Sequence, residues 1–214
     1  MRVALIGATG LVGAALGECL AATGHELHRL QRRESGGAGK VHFADSREWP
    51  EIVTRLRPDA AISTLGTTLK AAGSRAAFRA VDFDMVVDFA RAAREAGARR
   101  MIAVSSVGAN AGARAFYLRT KGEMEAALAA LGFGRLDILR PGLLLGDRSG
   151  DHRTVERIGM MLSPLMNLLL PGSLDRFGAI EAEVVARAIT KLLALERPGA
   201  HIHHNREIRR LAAA

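Results

Sequence analysis

A short apolar run, Arg2 to Ile6, leads straight into Gly7, Gly10 and Gly13 and then into an unbroken segment rich in alanine and leucine. Three glycines at that place restrict the possible folds more than any other feature of the chain. A strand that turns directly into a helix needs residues that tolerate positive φ and let the helix pack closely on the strand, and it can then bring its backbone close to a ligand. The unpaired N–H groups at the helix start suit a diphosphate. The spacing is G-x-x-G-x-x-G rather than G-x-G-x-x-G. Its position between a first strand and a first helix of a βαβ unit is what makes it a dinucleotide signal.

The rest of the chain alternates in the same way. Strands are expected over 2–6 and in HELHRLQ, KVHFA, DAAISTLG, RRMIAVSS and RLDILRPG, with a last one near AHIHHN. Helices are expected over 11–22, in SREWPEIVTRLR, and over 74–96, 115–131 and 181–195. Strands that are apolar almost throughout, separated by helices, predict an α/β fold: a doubly wound parallel sheet covered on both faces. One Rossmann domain over residues 1–214 accommodates the whole pattern. Beyond Gly142 the pattern loosens, and 143–178 reads as a small excursion on the substrate side, since ligands bind at the carboxyl ends of such strands.

Charge and composition narrow the function classes. The net charge of +8 invites a nucleic-acid reading, but the 30 basic residues are spread along the whole chain and aromatics make up only 4%. Base stacking has little to work with, so no nucleic-acid partner is expected. The start lacks the long apolar core of a secretory signal, and a cytoplasmic location is expected. The longest apolar stretch, 160–170, is well short of the ~20 residues that span a bilayer, so no membrane span is expected. It reads as a pocket wall or as the face of a homodimer. The single cysteine, Cys19, falls in the apolar pattern of the first helix and is expected to be a buried, inert thiol.

The end of the second strand bears on the choice of dinucleotide. An acid there binds the ribose 2′-hydroxyl of NAD, whereas arginine accommodates the 2′-phosphate of NADP. The chain has Gln31-Arg32-Arg33, with Glu34 one residue further on. Arg32 and Arg33 therefore predict NADP as cofactor.

Tyr117 is the only tyrosine, and Lys121 follows it by four residues at the start of a helix. That spacing puts phenol and ammonium on one helix face. Hydride passing to or from a carbonyl carbon requires a proton at the oxygen, which a phenol can give and take, and a neighbouring ammonium favours the phenolate. Ser105 and Ser106 close the fifth strand, and Ser106 is suited to hydrogen-bond the same oxygen. Lys121 would also hold the nicotinamide ribose.

Together GATGLVG, SSVGA, YLRTKGEME and ILRPGLLLGDR resemble the atypical short-chain dehydrogenase/reductase superfamily, in particular the branch related to the Tat-interacting oxidoreductase-like protein. The likeness covers about residues 1–195 and extends to STLGTTLKAAGS. It implies a Rossmann fold, NADP preference and a Ser-Tyr-Lys set made of Ser106, Tyr117 and Lys121. By position, Gly7, Thr9, Gly10, Val12 and Gly13 match the dinucleotide loop, and Arg32 matches the arginine after the second strand. Leu65, Gly66 and Thr67 match the loop along the cofactor, while Pro141 and Gly142 match the turn beside the nicotinamide. The chain is short after the sixth strand, which leaves little room for a sugar-nucleotide pocket and favours a small carbonyl- or quinone-type substrate.

Other signals are weaker. His201 and His203 share one strand face and His204 takes the other, with no carboxylate or cysteine cluster beside them, so no metal is expected. His25, His28, His42 and His152 read as isolated, and Asp147 and Arg148 as loop residues near the substrate side. The leading expectation is an NADP(H)-dependent oxidoreductase. An NADPH-binding regulatory or scaffold protein, or an epimerase or dehydratase working by transient oxidation, remains open.

Overall fold

The computed structural model describes residues 1–34, 36–146 and 176–214. The expectations placed on Asp147, Arg148, His152, the apolar 160–170 stretch and most of the 143–178 excursion lie outside the described residues.

The first half of the chain runs β1 (Arg2–Ile6), α1 (Leu11–Ala21), β2 (Glu26–Gln31), β3 (Lys40–Phe43), α2 (Trp49–Leu56) and β4 (Ala60–Ser63). Next come α3 (Leu69–Ala72), α4 (Arg75–Arg79), α5 (Met85–Glu95), β5 (Arg100–Val104), α6 (Phe116–Ala130) and β6 (Arg135–Arg140). The described remainder is β7 (Leu143–Leu145), β8 (Ala179–Glu181), α7 (Ala182–Leu192), β9 (Gly199–His204) and α8 (Asn205–Ala213).

Seven strands form one sheet in the order β3-β2-β1-β4-β5-β6-β9, and every neighbouring pair is parallel. The order reverses at β1, which lies between β2 and β4. The carboxyl ends of β1 and β4 therefore bound the crevice where such sheets bind ligands.

Side chains alternate across the sheet into two cores. Val3, Leu5, Ile62 and Leu139 pack with Leu16 and Leu20 of α1 and Val185 and Ile189 of α7. Ala4, Ile6, Leu30 and Ala61 face Phe89 of α5 and Met124 and Leu128 of α6 on the other side. At about 25 cal/mol per Å² of apolar surface, this two-sided burial is the main favourable contribution to folding. It is the doubly wound arrangement expected from the apolar strands.

Three features depart from the expected pattern. The helix expected over 74–96 is α4 and α5 joined by a π-helical turn, Ala80–Asp84, in which the Met85 N–H donates to the Ala80 carbonyl. The wider turn changes which residues face inward: Asp82 is buried while Asp84 is exposed. The strands β7 and β8 pair in a small separate sheet. They are too short to show a period of two. Helix α8 has only Asn205 and Ile208 buried, so its apolar stripe is too thin to show as helical periodicity.

Candidate functional site

Each of the three glycines has its own structural role. Gly7 adopts φ +82, and a Cβ on it would stand 2.5 Å from the Leu65 nitrogen and the Thr64 carbonyl carbon. The turn after β1 thus rests against the backbone after β4. A Cβ on Gly13 would come within 2.8 Å of the Ala8 Cα and closer still to the Gly7 carbonyl oxygen, so this glycine lets α1 pack onto its own turn. Gly10 differs, because among the described residues a Cβ there would meet only the Gly7 oxygen, at an ordinary 3.4 Å. No packing among the described residues requires Gly10, which leaves space beside it for a ligand.

Gly10 is also the N-cap of α1, with no side chain capping the helix and no acid in its first turn. The first N–H groups, including that of Val12, are left for an anion. The Val12 side chain itself is in the core.

A cleft of about 650 Å³ opens here, with Gly7, Thr9, Gly10, Arg32, Leu65 and Gly66 among its walls. Thr67 lines it as well. The loop after β4 is tied back to β1: the Thr64 N–H donates to the Ile6 carbonyl at 3.0 Å, and the Thr64 hydroxyl donates to the Gly7 carbonyl at 3.0 Å. Arg32 and Arg33 both lie exposed just past β2, but only Arg32 lines the cleft. Glycine turn, 64–67 loop and Arg32 thus converge on one concavity. The residues suit an adenine dinucleotide, with N–H groups for the diphosphate and a guanidinium at the ribose end.

The second cluster lies below that loop. Lys121 is 3% exposed and its Nζ stands 2.7 Å from Asp82 Oδ1; Asp82 is fully buried. The other Asp82 oxygen accepts the Thr67 N–H at 2.8 Å. A Cβ on Gly66 would lie 3.8 Å from the Lys121 ammonium nitrogen, so the lysine sits beside the loop that lines the cleft. Tyr117, one turn before Lys121, is half-buried with its ring against Phe78, centroids 5.5 Å apart.

The loop after β5, which carries Ser106, packs on α6, the helix that bears Tyr117 and Lys121. The Ser105 N–H donates to the Leu139 carbonyl at 2.7 Å and the Val107 N–H to the Pro141 carbonyl at 3.0 Å, knitting the ends of β5 and β6 together. Ser106 is half-buried and its hydroxyl donates to the Val107 carbonyl at 3.3 Å. The same loop packs on α6 at Gly122, where a Cβ would stand 2.6 Å from the Asn110 Cα. Gly142 is held by Asn205, whose Oδ1 accepts its N–H at 3.0 Å and whose Nδ2 donates to the Gly178 carbonyl at 2.8 Å. Arg140, at the end of β6, reaches Glu125 of α6 through its Nε at 3.0 Å.

Sequence reasoning missed Asp82, Gly122 and Asn205. Gly122 had left a signal, since a glycine in a helix interior costs about 1 kcal/mol relative to alanine and asks for a packing reason. Asp82 and Asn205 act through partners far along the chain, and no local pattern marks them.

The histidine reading needs one correction. His28 and His42 are not isolated: the His28 Nδ1 and His42 Nε2 are 2.9 Å apart across β2 and β3, and the His28 Nε2 faces Glu26 at 3.1 Å. His203 binds Asp137, which also pairs with Arg135. Burial raises the Asp137 pKa, but the His203 and Arg135 hydrogen bonds outweigh it and hold the carboxyl below its usual value. No group of three or more potential metal ligands occurs among the described residues. Cys19 is half-buried and burial pushes its thiol up. No helix among the described residues is long and apolar enough to cross a membrane.

Residues 3–124 match the NAD dependent epimerase/dehydratase family. "Protein FMP52, mitochondrial" of Meyerozyma guilliermondii is 38% identical over 159 residues, spanning 71% of this chain and 68% of that protein. "Protein fmp-52, mitochondrial" of Neurospora crassa is 34% identical over 210 residues, spanning 92% and 86%. Among solved structures, the Lactococcus lactis oxidoreductase ylbE superposes with a TM-score of 0.71 at 19% identity, covering 100% of this chain and 95% of that one. Human epimerase family protein SDR39U1, solved with NADPH, gives a TM-score of 0.67 at 20% identity, covering 95% and 74%. MoeE5 with UDP-glucose and NAD gives 0.73 at 14% identity, covering 94% and 75%. At these identities the solved structures show the shared Rossmann-type fold.

The relatives correct the expected cytoplasmic location, because they are named as mitochondrial proteins. The expectation rested on the residues after Met1, whose apolar pattern is that of β1 and carries no information about an organelle.

Proposed function

The chain belongs to the NAD dependent epimerase/dehydratase family, and from that premise we propose that it is an NADP(H)-dependent oxidoreductase transferring hydride to or from a small carbonyl- or quinone-type substrate. The observation that carries this reading is the convergence of the uncapped α1 start, the 64–67 loop and Arg32 on one cleft, with Lys121 beside Gly66. The N–H groups at Val12 and Gly13 hold the diphosphate, with Gly7, Thr9 and Gly10 shaping the turn. Arg32 takes the 2′-phosphate, with Arg33 adding charge from outside the cleft. Leu65, Gly66 and Thr67 run along the dinucleotide, and Pro141 and Gly142 flank the nicotinamide. The bound nicotinamide supplies the hydride chemistry.

The chain's own residues handle the oxygen. Tyr117 gives its phenolic proton to the substrate oxygen in reduction and takes it back in oxidation. Ser106 donates a hydrogen bond to the same oxygen and stabilises the charge that develops there. Lys121 holds the nicotinamide ribose from beside Gly66.

The test compares native chain and Tyr117→Phe for NADPH and NADH binding and for turnover of 9,10-phenanthrenequinone. The reading expects NADPH to bind more tightly than NADH in both proteins, with turnover lost only in the variant. Equal turnover in the variant overturns the role of Tyr117. Tightly held cofactor without net NADPH consumption points instead to an epimerase or dehydratase, and NADPH binding without any turnover to a regulatory protein.

A further inference from the structure

We propose that Asp82 is a positioning residue that acts on Tyr117 through Lys121, cancelling the ammonium charge while anchoring the loop that lines the cleft. Its functional meaning rests on the reading of Tyr117 given above. Three observations carry it. Asp82 and Lys121 are both buried, at 0% and 3% exposure, and stand 2.7 Å apart. The π-helical turn Ala80–Asp84 puts Asp82 there. The second carboxylate oxygen accepts the Thr67 N–H, so the residue that neutralises the lysine also fixes the cleft wall.

The consequence is electrostatic. Tyr117 and Lys121 are one turn apart on α6, which puts their Cβ atoms about 5–6 Å from each other. A lone ammonium there would draw the proton from the phenol, but an ammonium bonded to a buried carboxylate is one half of a neutral pair. Among the described residues, most other charged groups on the elements packed around it are engaged, and the remaining two are exposed to solvent. Glu123 pairs with Arg79 of α4, Glu125 with Arg140 of β6, and Arg119 donates to the Ala113 carbonyl and lies over the Phe116 ring. Arg75 of α4 is exposed, with its guanidinium carbon 5.3 Å from the Phe116 ring centroid. Asp84 of the π-helical turn is exposed. Asp82 therefore decides whether the charge of Lys121 is felt at Tyr117.

Tyr117 is the only tyrosine of the chain, so tyrosinate absorbance near 295 nm reports this one phenol. The experiment titrates the native chain, Asp82→Asn, Lys121→Gln and the double variant with pH, with circular dichroism at each point as a check on folding. Asp82→Asn keeps an acceptor for the Thr67 N–H but leaves the ammonium unpaired, and its midpoint is expected about one pH unit below that of the native chain. Lys121→Gln leaves the carboxylate unpaired and moves the midpoint up. The double variant restores neutrality and returns close to the native midpoint.

A purely structural role would leave the midpoints of all folded variants coincident, and that result overturns the proposal. If either single variant fails to fold, the other is judged against the native chain and the double variant, in which no buried charge is left alone. The titration needs neither cofactor nor substrate. Should Tyr117→Phe turn over normally, the catalytic reading fails while the charge-cancelling role is still decided by the four midpoints.

Discussion

The glycine turn and the Asp82–Lys121 pair grip the same loop by different means. At Leu65 the loop rests on Gly7, backbone against backbone, with no room for a Cβ. At Thr67, two residues further on, it hangs from a buried carboxylate whose charge is balanced by a lysine on another helix. The first grip is steric, set by one residue type at one φ. The second is electrostatic and depends on three side chains or backbone groups from three parts of the chain. A steric grip either fits or fails, whereas a charged grip responds to its neighbours, and this one lies one turn from the phenol proposed to move a proton.

The largest effect expected is at the steric grip. Gly7→Ala places a Cβ inside contact distance of three backbone atoms at φ +82, and it should cost about 4 kcal/mol in urea unfolding. A cost below about 1 kcal/mol would break the comparison. Gly10→Ala sharpens it from the other side, because its Cβ meets only an ordinary contact. Stability should change by less than about 1 kcal/mol while NADPH binding weakens about tenfold, as expected where the open backbone serves a ligand.

The electrostatic grip comes next. Asp82→Ala strands a buried ammonium and releases the Thr67 N–H, and about 3 kcal/mol of stability should be lost together with part of the NADPH affinity. A variant as stable as the native chain would show that the pair does not hold the loop.

The charge facing the cleft contributes less and acts on affinity alone. Arg32→Ala should reduce the preference for NADPH over NADH about tenfold without moving the unfolding midpoint. Arg33→Ala should reduce it by less than about threefold, since only Arg32 lines the cleft. Equal losses would mean that the cleft is not what distinguishes the two.

The smallest effect lies outside the loop, at the polar contact between His28 and His42. Burial, then the His28 ring, then Lys40 hold His42 below its usual pKa of 6.5. The unfolded chain therefore takes up this proton first as pH falls, so the stability due to neutral His42 is complete above pH 6.5 and declines below it. The native chain should lose more stability between pH 7.5 and pH 5.5 than His42→Gln does, as read from urea midpoints. Parallel curves would show that the contact carries no pH dependence.

Legibility in the sequence followed the same division. The strand and helix alternation was readable because each element repeats its own period, and the turn of Gly7, Gly10 and Gly13 was readable because strand, turn and helix are neighbours in the chain. The Tyr117–Lys121 spacing was readable because four residues make one helical turn. The π-helical turn was not, since no residue pattern marks it and it differs from an α-helical turn in a hydrogen bond that skips one residue further. The His28–His42 contact was missed because it crosses two strands whose register only the sheet sets.

The sequence alone determined a parallel, two-faced sheet, an open helix start after β1 and a phenol sharing a helix face with an ammonium. These depend on interactions within a turn or two of chain, where residue type and spacing are enough. Tertiary structure alone decided that Leu65 rests on Gly7, that Arg32 rather than Arg33 lines the cleft, and that Lys121 is paired with Asp82. Each of those joins segments that the chain separates and only the folded sheet brings within contact distance, where burial makes a steric fit or an unpaired charge expensive enough to matter.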